Sequence, residues 1–288
     1  MVLSGRPISP GCTIIIAAAA MAALVLAAVG YRNAIADPIV RHLTIEVSGY
    51  SATAAPVRMV LLSDLHVRGP DMPPARLARI VDQVNTLNPN IAVIAGDFTG
   101  HSWIGAQYSP ADATGPLRRL KARFGTFAVL GNNDSDVPYE LLPALRAAGV
   151  HLLVNDVARA GPVALGGVDG RLTPTMPALN AARMRTYSAL ERTPGVKVLV
   201  THRPDEFPGA PKFVTLVLAG HTHCGQIVLP MFGALVTGSD YGRKYACGVY
   251  RDGSKILVVT AGLGTSHLPL RLGAPPDIWL ISIRGTGV

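Results

Sequence analysis

The chain is poor in cysteine, and this excludes several classes of protein at once. Its 288 residues include only three cysteines, Cys12, Cys224 and Cys247, and no two of them form a C-x-x-C pair. A disulfide framework, a zinc ribbon and a redox dithiol are therefore excluded. Two separate thiols at Cys224 and Cys247 are favoured, because a bridge between them would require an oxidising compartment.

Charge and aromatic side chains are also sparse. Lysine and arginine number 26 against 18 aspartates and glutamates, which gives a net charge of +8. This balance suits an anionic partner such as a phosphorylated substrate or an anionic membrane face. Nucleic acid is a less favoured partner, because the sequence has no stripe of alternating aromatic and basic residues on which bases could stack. With 49% hydrophobic residues the chain can bury a full core.

Charge is completely absent from one long segment near the N-terminus. The run from Cys12 to Gly30, CTIIIAAAAMAALVLAAVG, lies within a charge-free stretch bounded by Arg6 and Arg32. Nineteen residues at ~1.5 Å each span roughly 28 Å as a helix, about one hydrocarbon core. We interpret residues 1–32 as a single-pass anchor, with the bacterial inner membrane as its expected location and its orientation open. Cleavage as a signal peptide near Ala34 and Ala36 is the alternative.

The remaining chain alternates strands with helices. Residues 33–56 are predicted to be a juxtamembrane connector with one short strand, and residues 57–288 to be the folded body. Within the body, VRMVLLSD, NIAVIAGD and TFAVLGNND are predicted strands, and PARLARIVDQVNTLN has apolar residues at helical spacing. The tail after Gln226 contains strands and turns. This alternation predicts a layered α/β sheet protein whose function lies at strand ends.

Five polar clusters each close a predicted strand. In chain order they are Asp64-Leu65-His66, Gly96-Asp97, Gly131-Asn132-Asn133-Asp134, Thr201-His202 and Gly220-His221-Thr222-His223. Each cluster alone is a weak signal, since isolated buried histidines are common in cores. Burying so many polar groups together would cost several kcal/mol without a partner. A metal centre supplies that partner, and carboxylates with imidazoles suit Mn, Fe or Zn.

These clusters resemble the blocks of the calcineurin-like metallophosphoesterase superfamily, D-x-H, G-D, G-N-H-D/E, a lone histidine and G-H-x-H. The resemblance runs from about Val57 to Ile283. The segments GHTHCGQIVLP and TAGLGTSHLPLRLGAPP look like a membrane-associated bacterial phosphodiesterase branch that includes UDP-2,3-diacylglucosamine hydrolases. The fold implied is a β-sandwich flanked by helices. The implied cofactor is a pair of divalent metal ions.

The resemblance also assigns the ligands. One metal would take Asp64, His66 and His223. The second would take Asn132, His202 and His221. Asp97 would bridge the two ions, as two-metal phosphoryl chemistry requires.

One position departs from the superfamily pattern. Asn133 stands where the family has the histidine that assists protonation of the leaving group. An amide donates and accepts hydrogen bonds but cannot deliver a proton at neutral pH. We therefore expect Asn133 to donate a hydrogen bond to the phosphoryl group or leaving oxygen. Asp134, which would orient that histidine, either loses this role or becomes a supporting group, and Asn133 and Asp134 are the candidate catalytic residues.

A glycine loop follows a late strand. Its backbone amides, with Gly264 at the centre and Arg271 as a clamp, could cradle a phosphate; a plain turn beside a surface arginine is the alternative.

The resulting expectation is a membrane-anchored phosphoesterase acting on a phosphodiester or pyrophosphate, with lipid- and nucleotide-linked esters as the favoured substrates. The alternatives are a nuclease of the same superfamily and a non-catalytic metal-binding scaffold, the latter motivated by Asn133. The sequence does not predict the oligomeric state.

Overall fold

The structure, a computed structural model, describes residues 10–48, 50–100, 104–136, 138–168 and 175–286. It begins with helix α1, Pro10–Ile35, whose 26 residues are almost entirely exposed apart from Gly30 and Ala34. At ~1.5 Å per residue this helix is roughly 39 Å long, enough to cross a bilayer. By length and composition α1 is therefore the candidate membrane span that the sequence predicted.

The first of two six-stranded sheets has the strand order β1-β14-β2-β3-β4-β5. Strands β2 to β5 run parallel, and β14 is antiparallel to β2. Its strands are β1 (Ile39–Val47), β2 (Val57–Leu62), β3 (Ile91–Ala95), β4 (Thr126–Val129), β5 (Val150–Leu152) and β14 (Asp277–Gly285).

The second sheet has the order β12-β13-β9-β8-β7-β6, with a parallel centre and one antiparallel strand at each edge. A separate two-stranded hairpin of β10 (Val228–Leu229) and β11 (Gly233–Ala234) projects from the tail. The sheet strands are β6 (Asp156–Ala160), β7 (Val163–Val168), β8 (Val196–Thr201), β9 (Leu216–Ala219), β12 (Gly248–Asp252) and β13 (Lys255–Val259).

Helices cover the outer faces of the two sheets, and the apolar inner faces pack against each other. Met59 and Val93 from the first sheet share one buried cluster with Val198 and Leu218 from the second. The helices are α2 (Pro74–Thr86), α3 (Pro110–Thr114), α4 (Pro138–Ala147) and α5 (Met176–Arg192). The layered α/β architecture, a β-sandwich flanked by helices, is thereby confirmed.

Helix α2 shows how the sequence produces this layering. Pro74 occupies the first turn, where the missing N–H costs no hydrogen bond. Leu77, Ile80, Val81 and Val84 follow at helical spacing, and all four are buried against the first sheet. Helix α3 is followed directly by a short 3-10 helix over Gly115–Arg119.

The segment predicted as a connector contains part of the sheet. Strand β1 pairs in parallel with β14 along all nine of its residues, from Ile39 with Asp277 to Val47 with Gly285. Arg41 adds an ion pair to Asp277 at 2.7 Å. The edge of the folded body therefore begins within the predicted connector, because this pairing involves residues more than two hundred positions apart and leaves no local signal.

The C-terminal end of α1 packs against the body. The Arg271 N–H donates to the Gly30 carbonyl at 2.9 Å, and the Asn33 side chain donates to the Arg271 carbonyl at 3.2 Å. Arg76 donates from Nη2 to the Ala36 carbonyl at 2.7 Å. A Cβ at Gly30 would lie 3.3 Å from Leu270 Cβ, so a small residue suits this contact. The helix end is thus fixed to the loop around Arg271.

One prediction about cysteine is wrong. The structure joins Cys224 and Cys247 in a disulfide, with their Cα atoms 4.7 Å apart. Cys12 lies outside this bridge and is exposed on α1. The sequence favoured separate thiols because it could not show that the turn after β9 folds back onto the segment before β12.

Candidate metal centre

The five predicted clusters meet at one edge of the sandwich. They follow β2, β3, β4, β8 and β9, which run in parallel within their sheets and so end on the same side. Several of the side chains are carried by residues with positive φ: Asp64 (51°), His66 (42°), Asp97 (55°), His221 (70°) and His223 (50°). Such conformations cost about 1–3 kcal/mol each and cluster at functional sites. The backbone turns sharply after each strand and directs these side chains inward.

The first group of ligand atoms comes from Asp64, His66 and His223, all buried. His66 Nε2 lies 3.2 Å from His223 Nε2. Asp64 Oδ1 lies 3.5 Å from His223 Nε2 and 3.9 Å from His66 Nε2. One carboxylate and two imidazoles with donor atoms this close form a pocket that suits a single divalent cation.

The second group is formed by His202, His221 and Asn132. His202 Nε2 lies 3.1 Å from Asn132 Oδ1 and 3.2 Å from His221 Nδ1. Two other contacts fix the rings: His202 Nδ1–H donates to the Ala95 carbonyl at 2.7 Å, and His221 Nε2–H to the Gly238 carbonyl at 3.1 Å. These bonds orient both rings with one nitrogen inward, and in a neutral ring that nitrogen carries the lone pair that metal ligation requires.

Asp97 lies between the two groups. Its Oδ2 is 3.5 Å from His66 Nε2 in the first group and 3.4 Å from His202 Nε2 in the second. Asp97, His202 and Asp64 also bring ligand atoms together within 4.8 Å. This is the position expected of a carboxylate shared by two cations.

The protonation states also suit cation binding. Burial is the main cause that lowers the pKa of His66 and of His221 to about 4, and it also lowers the pKa of His223 well below its ordinary value. Burial, the largest single effect, would lower the pKa of His202, but the charge and hydrogen bond of Asp97, the charge of Asp64 and the bond to Ala95 together raise it to about 9. Burial would likewise raise the pKa of Asp97, yet His202 holds it well below its usual range. Three of the four histidines are therefore neutral at pH 7, which leaves lone pairs free for a metal.

Asp134 supports the centre from behind. Its fully buried carboxylate accepts N–H groups from Asp97 at 2.9 Å, Phe98 at 2.8 Å, Gly131 at 2.8 Å and Thr99 at 3.3 Å. Burial, with the nearby charge of Asp97, raises its pKa to about 7. These contacts join the β3 and β4 loops, so Asp134 positions Asp97, and among the described residues it has no hydrogen bond to a histidine that would serve proton transfer.

Asn133 faces the shared carboxylate. Its backbone N–H donates to Asp97 Oδ1 at 2.8 Å, and its side-chain Nδ2 donates to Asp97 Oδ2 at 2.7 Å. Gly131, two residues earlier, passes so close that a Cβ there would lie 2.1 Å from Asp97 Oδ1. The G-N-N-D segment therefore wraps around Asp97, and Asn133 is part of the centre as a hydrogen-bond donor.

The predicted phosphate cradle is wrong, because its amides are already used. The N–H groups of Leu263 and Gly264 donate to the carbonyls of Ser63 and Asp64 at 3.1 and 2.8 Å, and that of Ser266 donates to Gln226 Oε1. A Cβ at Gly264 would lie 2.4 Å from the Leu65 carbonyl oxygen. The loop packs against the Asp64–His66 turn and holds it in place.

Arg271 is not a surface clamp. Its guanidinium is fully buried and donates to the carbonyls of Ala261 (2.8 Å), Gly262 (3.1 Å), Gly264 and Ala274 (2.9 Å). Its Nη2 also lies 3.4 Å from His223 Nδ1. The alternative of a surface arginine fails as well, since Arg271 organises the loop behind a ligand. The sequence contains no signal for this burial.

Two cavities flank the ligands. One, of about 380 Å³, is lined by polar residues that include His202, Arg203, Asp205 and Asp240. The other, of about 550 Å³, lies between His221, His223 and the mainly apolar residues Ile227, Leu235, Val236 and Leu268. The sequence analysis did not find the second cavity, although the apolar segment VLPMFGALV with its internal proline and glycine could have indicated an exposed hairpin.

Comparison with known proteins agrees with this geometry. A model of the calcineurin-like phosphoesterase family matches residues 57–225. The chain is 33% identical over 276 residues to a zebrafish protein called transmembrane protein with metallophosphoesterase domain, covering 90% of this chain and 60% of that protein. It is 30% identical over 229 residues to the uncharacterized metallophosphoesterase YkuE of Bacillus subtilis, covering 73% of each. The bovine protein with the zebrafish protein's name is 29% identical over 280 residues, covering 91% of this chain and 61% of its own length.

The chain thus spans about three-fifths of the vertebrate relatives' length and most of the bacterial one. The matched region contains the residues of all five clusters, from Asp64 to His223, together with the strands that carry them. The apolar N-terminal helix agrees with the word transmembrane in the names of the zebrafish and bovine proteins. The sequence, the geometry of the centre and the match over residues 57–225 establish that the chain belongs to the calcineurin-like phosphoesterase family of phosphate ester hydrolases.

Proposed function

We propose that this protein is a membrane-anchored, two-metal phosphoesterase that hydrolyses an amphiphilic phosphodiester or pyrophosphate, with lipid- and nucleotide-linked esters of the UDP-2,3-diacylglucosamine type as the favoured class. The observation that carries the proposal is the position of Asp97 Oδ2, about equally far from His66 Nε2 and His202 Nε2. A carboxylate in that position can serve two cations at once. Bound there, divalent cations would activate a water nucleophile and neutralise the phosphoryl oxygens.

The residues of the chain contribute positioning and hydrogen bonding. Asp64, His66 and His223 would hold one cation, and Asn132, His202 and His221 the other. Asn133 directs its side-chain N–H groups into the centre and could donate to a phosphoryl or leaving-group oxygen. No proton donor is assigned to the leaving group, so substrates whose leaving groups need little protonation are favoured.

The amphiphilic substrate class rests on the surroundings of the centre. The larger cavity places apolar side chains, Leu235, Val236 and Leu268, beside His221 and His223. Helix α1 ends against the loop of Arg271, which itself lies behind His223. A metal centre so close to the membrane anchor encounters lipid-linked esters at raised effective concentration.

We further propose that the body lies on the oxidising side of the bacterial inner membrane. The support is the Cys224–Cys247 bridge, because disulfides persist outside the reducing cytosol.

The test is an assay of the full-length chain in lipid nanodiscs. Protein loaded with Mn²⁺, Zn²⁺ or Fe²⁺ is offered three substrates: bis(p-nitrophenyl) phosphate, a nucleotide-sugar pyrophosphate bearing acyl chains, and an alkyl phosphomonoester. We expect hydrolysis of the first two and slow turnover of the third. A preference for the alkyl phosphomonoester over the other two substrates would contradict the substrate class, and inactivity with every metal would favour a binding scaffold.

A further inference from the structure

The hairpin β10–β11 presents an exposed apolar tip. Met231 is fully exposed, and Phe232, Leu235 and Val236 are 67%, 56% and 74% exposed. Leu229 on the same hairpin is 37% exposed. Large apolar side chains are individually common at surfaces, but a continuous group of five on one projecting turn marks an interaction surface. We call residues 228–236 the apolar hairpin.

The apolar hairpin is joined to the end of the membrane anchor by a short chain of backbone contacts. Arg271 N–H donates to the Gly30 carbonyl of α1, and the next residue exchanges hydrogen bonds with the hairpin base: Leu272 N–H to the Gln226 carbonyl at 3.0 Å and Val228 N–H to the Leu272 carbonyl at 2.8 Å. The attachments of α1 and of the hairpin are therefore at adjacent residues. Both elements leave the body at the same place.

Charge next to the hairpin suits an anionic surface. The Arg243 guanidinium lies beside the turn, since a Cβ at Gly233 would be 3.3 Å from its Nη1. Arg243 and its neighbour Lys244 are exposed. An apolar surface bordered by basic residues is the pattern of elements that lie in the headgroup region of a bilayer.

The hairpin also forms one wall of the cavity that reaches the metal centre. Leu235 and Val236 line that cavity together with Ile227 and Leu268, and His221 and His223 lie at its inner end. An apolar wall continuous with an exposed apolar tip forms a path from the surface to the ligands.

We infer that the apolar hairpin inserts into the same bilayer that α1 spans, so that the mouth of the cavity opens onto the lipid headgroups and an amphiphilic ester enters it directly from the membrane. The apolar hairpin contacts the bilayer itself and not a partner protein, because the hairpin base is adjacent to the anchor and the residues beside it are basic. The substrate part of this inference rests on the proposed function; the insertion of the hairpin does not.

Insertion is tested in the full-length chain in nanodiscs of phosphatidylcholine and phosphatidylglycerol. Phe232→Trp places an indole at the tip, and Met184→Trp, at a 63% exposed methionine on α5, is the matched control. Both chains retain Trp103 and Trp279, whose signal is subtracted with the unmodified protein. A tip buried roughly 5–10 Å below the headgroups lies within reach of lipids brominated on their acyl chains. We expect blue-shifted emission and strong quenching at position 232, and neither at position 184.

Quenching at position 232 no greater than at position 184 would overturn the inference.

The consequence for catalysis is tested with the double variant Met231→Glu with Phe232→Glu, which lies outside the residues lining the cavity. We expect a several-fold loss on a diester embedded in the nanodisc, with hydrolysis of soluble bis(p-nitrophenyl) phosphate retained. Equal loss on both substrates, or loss on neither, would contradict a membrane role for the hairpin. If the unmodified protein hydrolyses neither diester, the proposed function fails, and the quenching result still decides whether the hairpin inserts.

Discussion

At the scale of single residues, the set of metal-ligand residues is what the sequence predicts most directly. Asp64, Asp97 and His202 each follow an apolar strand, and the parallel arrangement of those strands brings their ends together. The sequence could not predict which atom of each ring points inward. That choice depends on distant carbonyls, such as the Gly238 oxygen that fixes His221.

The shared position of Asp97 predicts an unequal effect of ligand substitutions. Asp97→Asn removes a charge that faces both groups, whereas His221→Ala removes a ligand from one group only. Metal content measured on purified protein should fall from about two ions to below one in Asp97→Asn, and to about one in His221→Ala. Equal metal content in the two variants would show that Asp97 does not bridge.

The presence of Asn133 predicts a characteristic dependence of the hydrolysis rate on the leaving group. A positioned proton donor typically contributes ~10²–10⁴-fold, most where the leaving group is poor. Without one, rates in the unmodified protein should fall steeply as the pKa of the leaving group rises across a series of aryl and alkyl esters. Asn133→His should flatten this dependence and raise activity on alkyl esters at unchanged metal content. A flat dependence in the unmodified protein would mean that another residue supplies the proton.

At the scale of elements, the sequence predicted the strands and helices well and the loops poorly. Periodicity shows which face of α2 is buried, but nothing local shows that the loop after β13 packs against the turn after β2. Arg271 illustrates the difference. Arginine beside glycines usually indicates an exposed anion site, and here tertiary packing uses the guanidinium to satisfy buried carbonyls instead.

Removing that guanidinium should therefore destabilise the fold. Arg271→Met leaves the carbonyls of Ala261 and Ala274 buried without their donor, at about 1–3 kcal/mol for each group. The midpoint of thermal unfolding should drop by several degrees, and Mn²⁺ affinity should weaken through His223. The control is Arg251→Met on the exposed face of β12, where a change of less than about 0.5 kcal/mol is expected. Equal stability of the two variants would mean that Arg271 does not stabilise the fold, and it would again favour a role in substrate binding.

The disulfide fixes the turn that carries a ligand, since Cys224 directly follows His223. Cross-linking residues 23 positions apart stabilises a fold by about 3 kcal/mol in the chain-entropy account. Cys247→Ser should lower both the unfolding midpoint and the affinity for Mn²⁺. Cys12→Ser, which alters the cysteine outside the bridge, should change neither. Unchanged metal affinity in Cys247→Ser would mean that the bridge contributes to global stability but not to metal binding.

At the scale of the whole molecule, the anchor and the body form one structure. The sequence predicted the span from its lack of charge but separated it from the body by a connector. The structure instead packs Gly30 and Ala34 of α1 against the body and pairs β1 with β14. These contacts join residues near the N-terminus to residues beyond position 260, and such pairings have no signature in the local sequence.

Two truncated chains separate the anchoring role of α1 from its structural role. Full-length protein should stay in membranes through a carbonate wash, whereas chains that begin at Val29 or at Asp37 should be released.

The chain from Val29 keeps the hydrogen bonds of Gly30, Asn33 and Ala36 to the body, and the chain from Asp37 loses all three. At about 1 kcal/mol for each bond, the shorter chain should be less stable by about 3 kcal/mol in denaturant unfolding. Its Mn²⁺ affinity should be weaker as well, because the freed Arg271 backbone adjoins the loop behind His223. Equal stability of the two soluble chains would mean that α1 is only a tether, and retention of either chain in carbonate-washed membranes would mean that α1 is not required for stable membrane attachment.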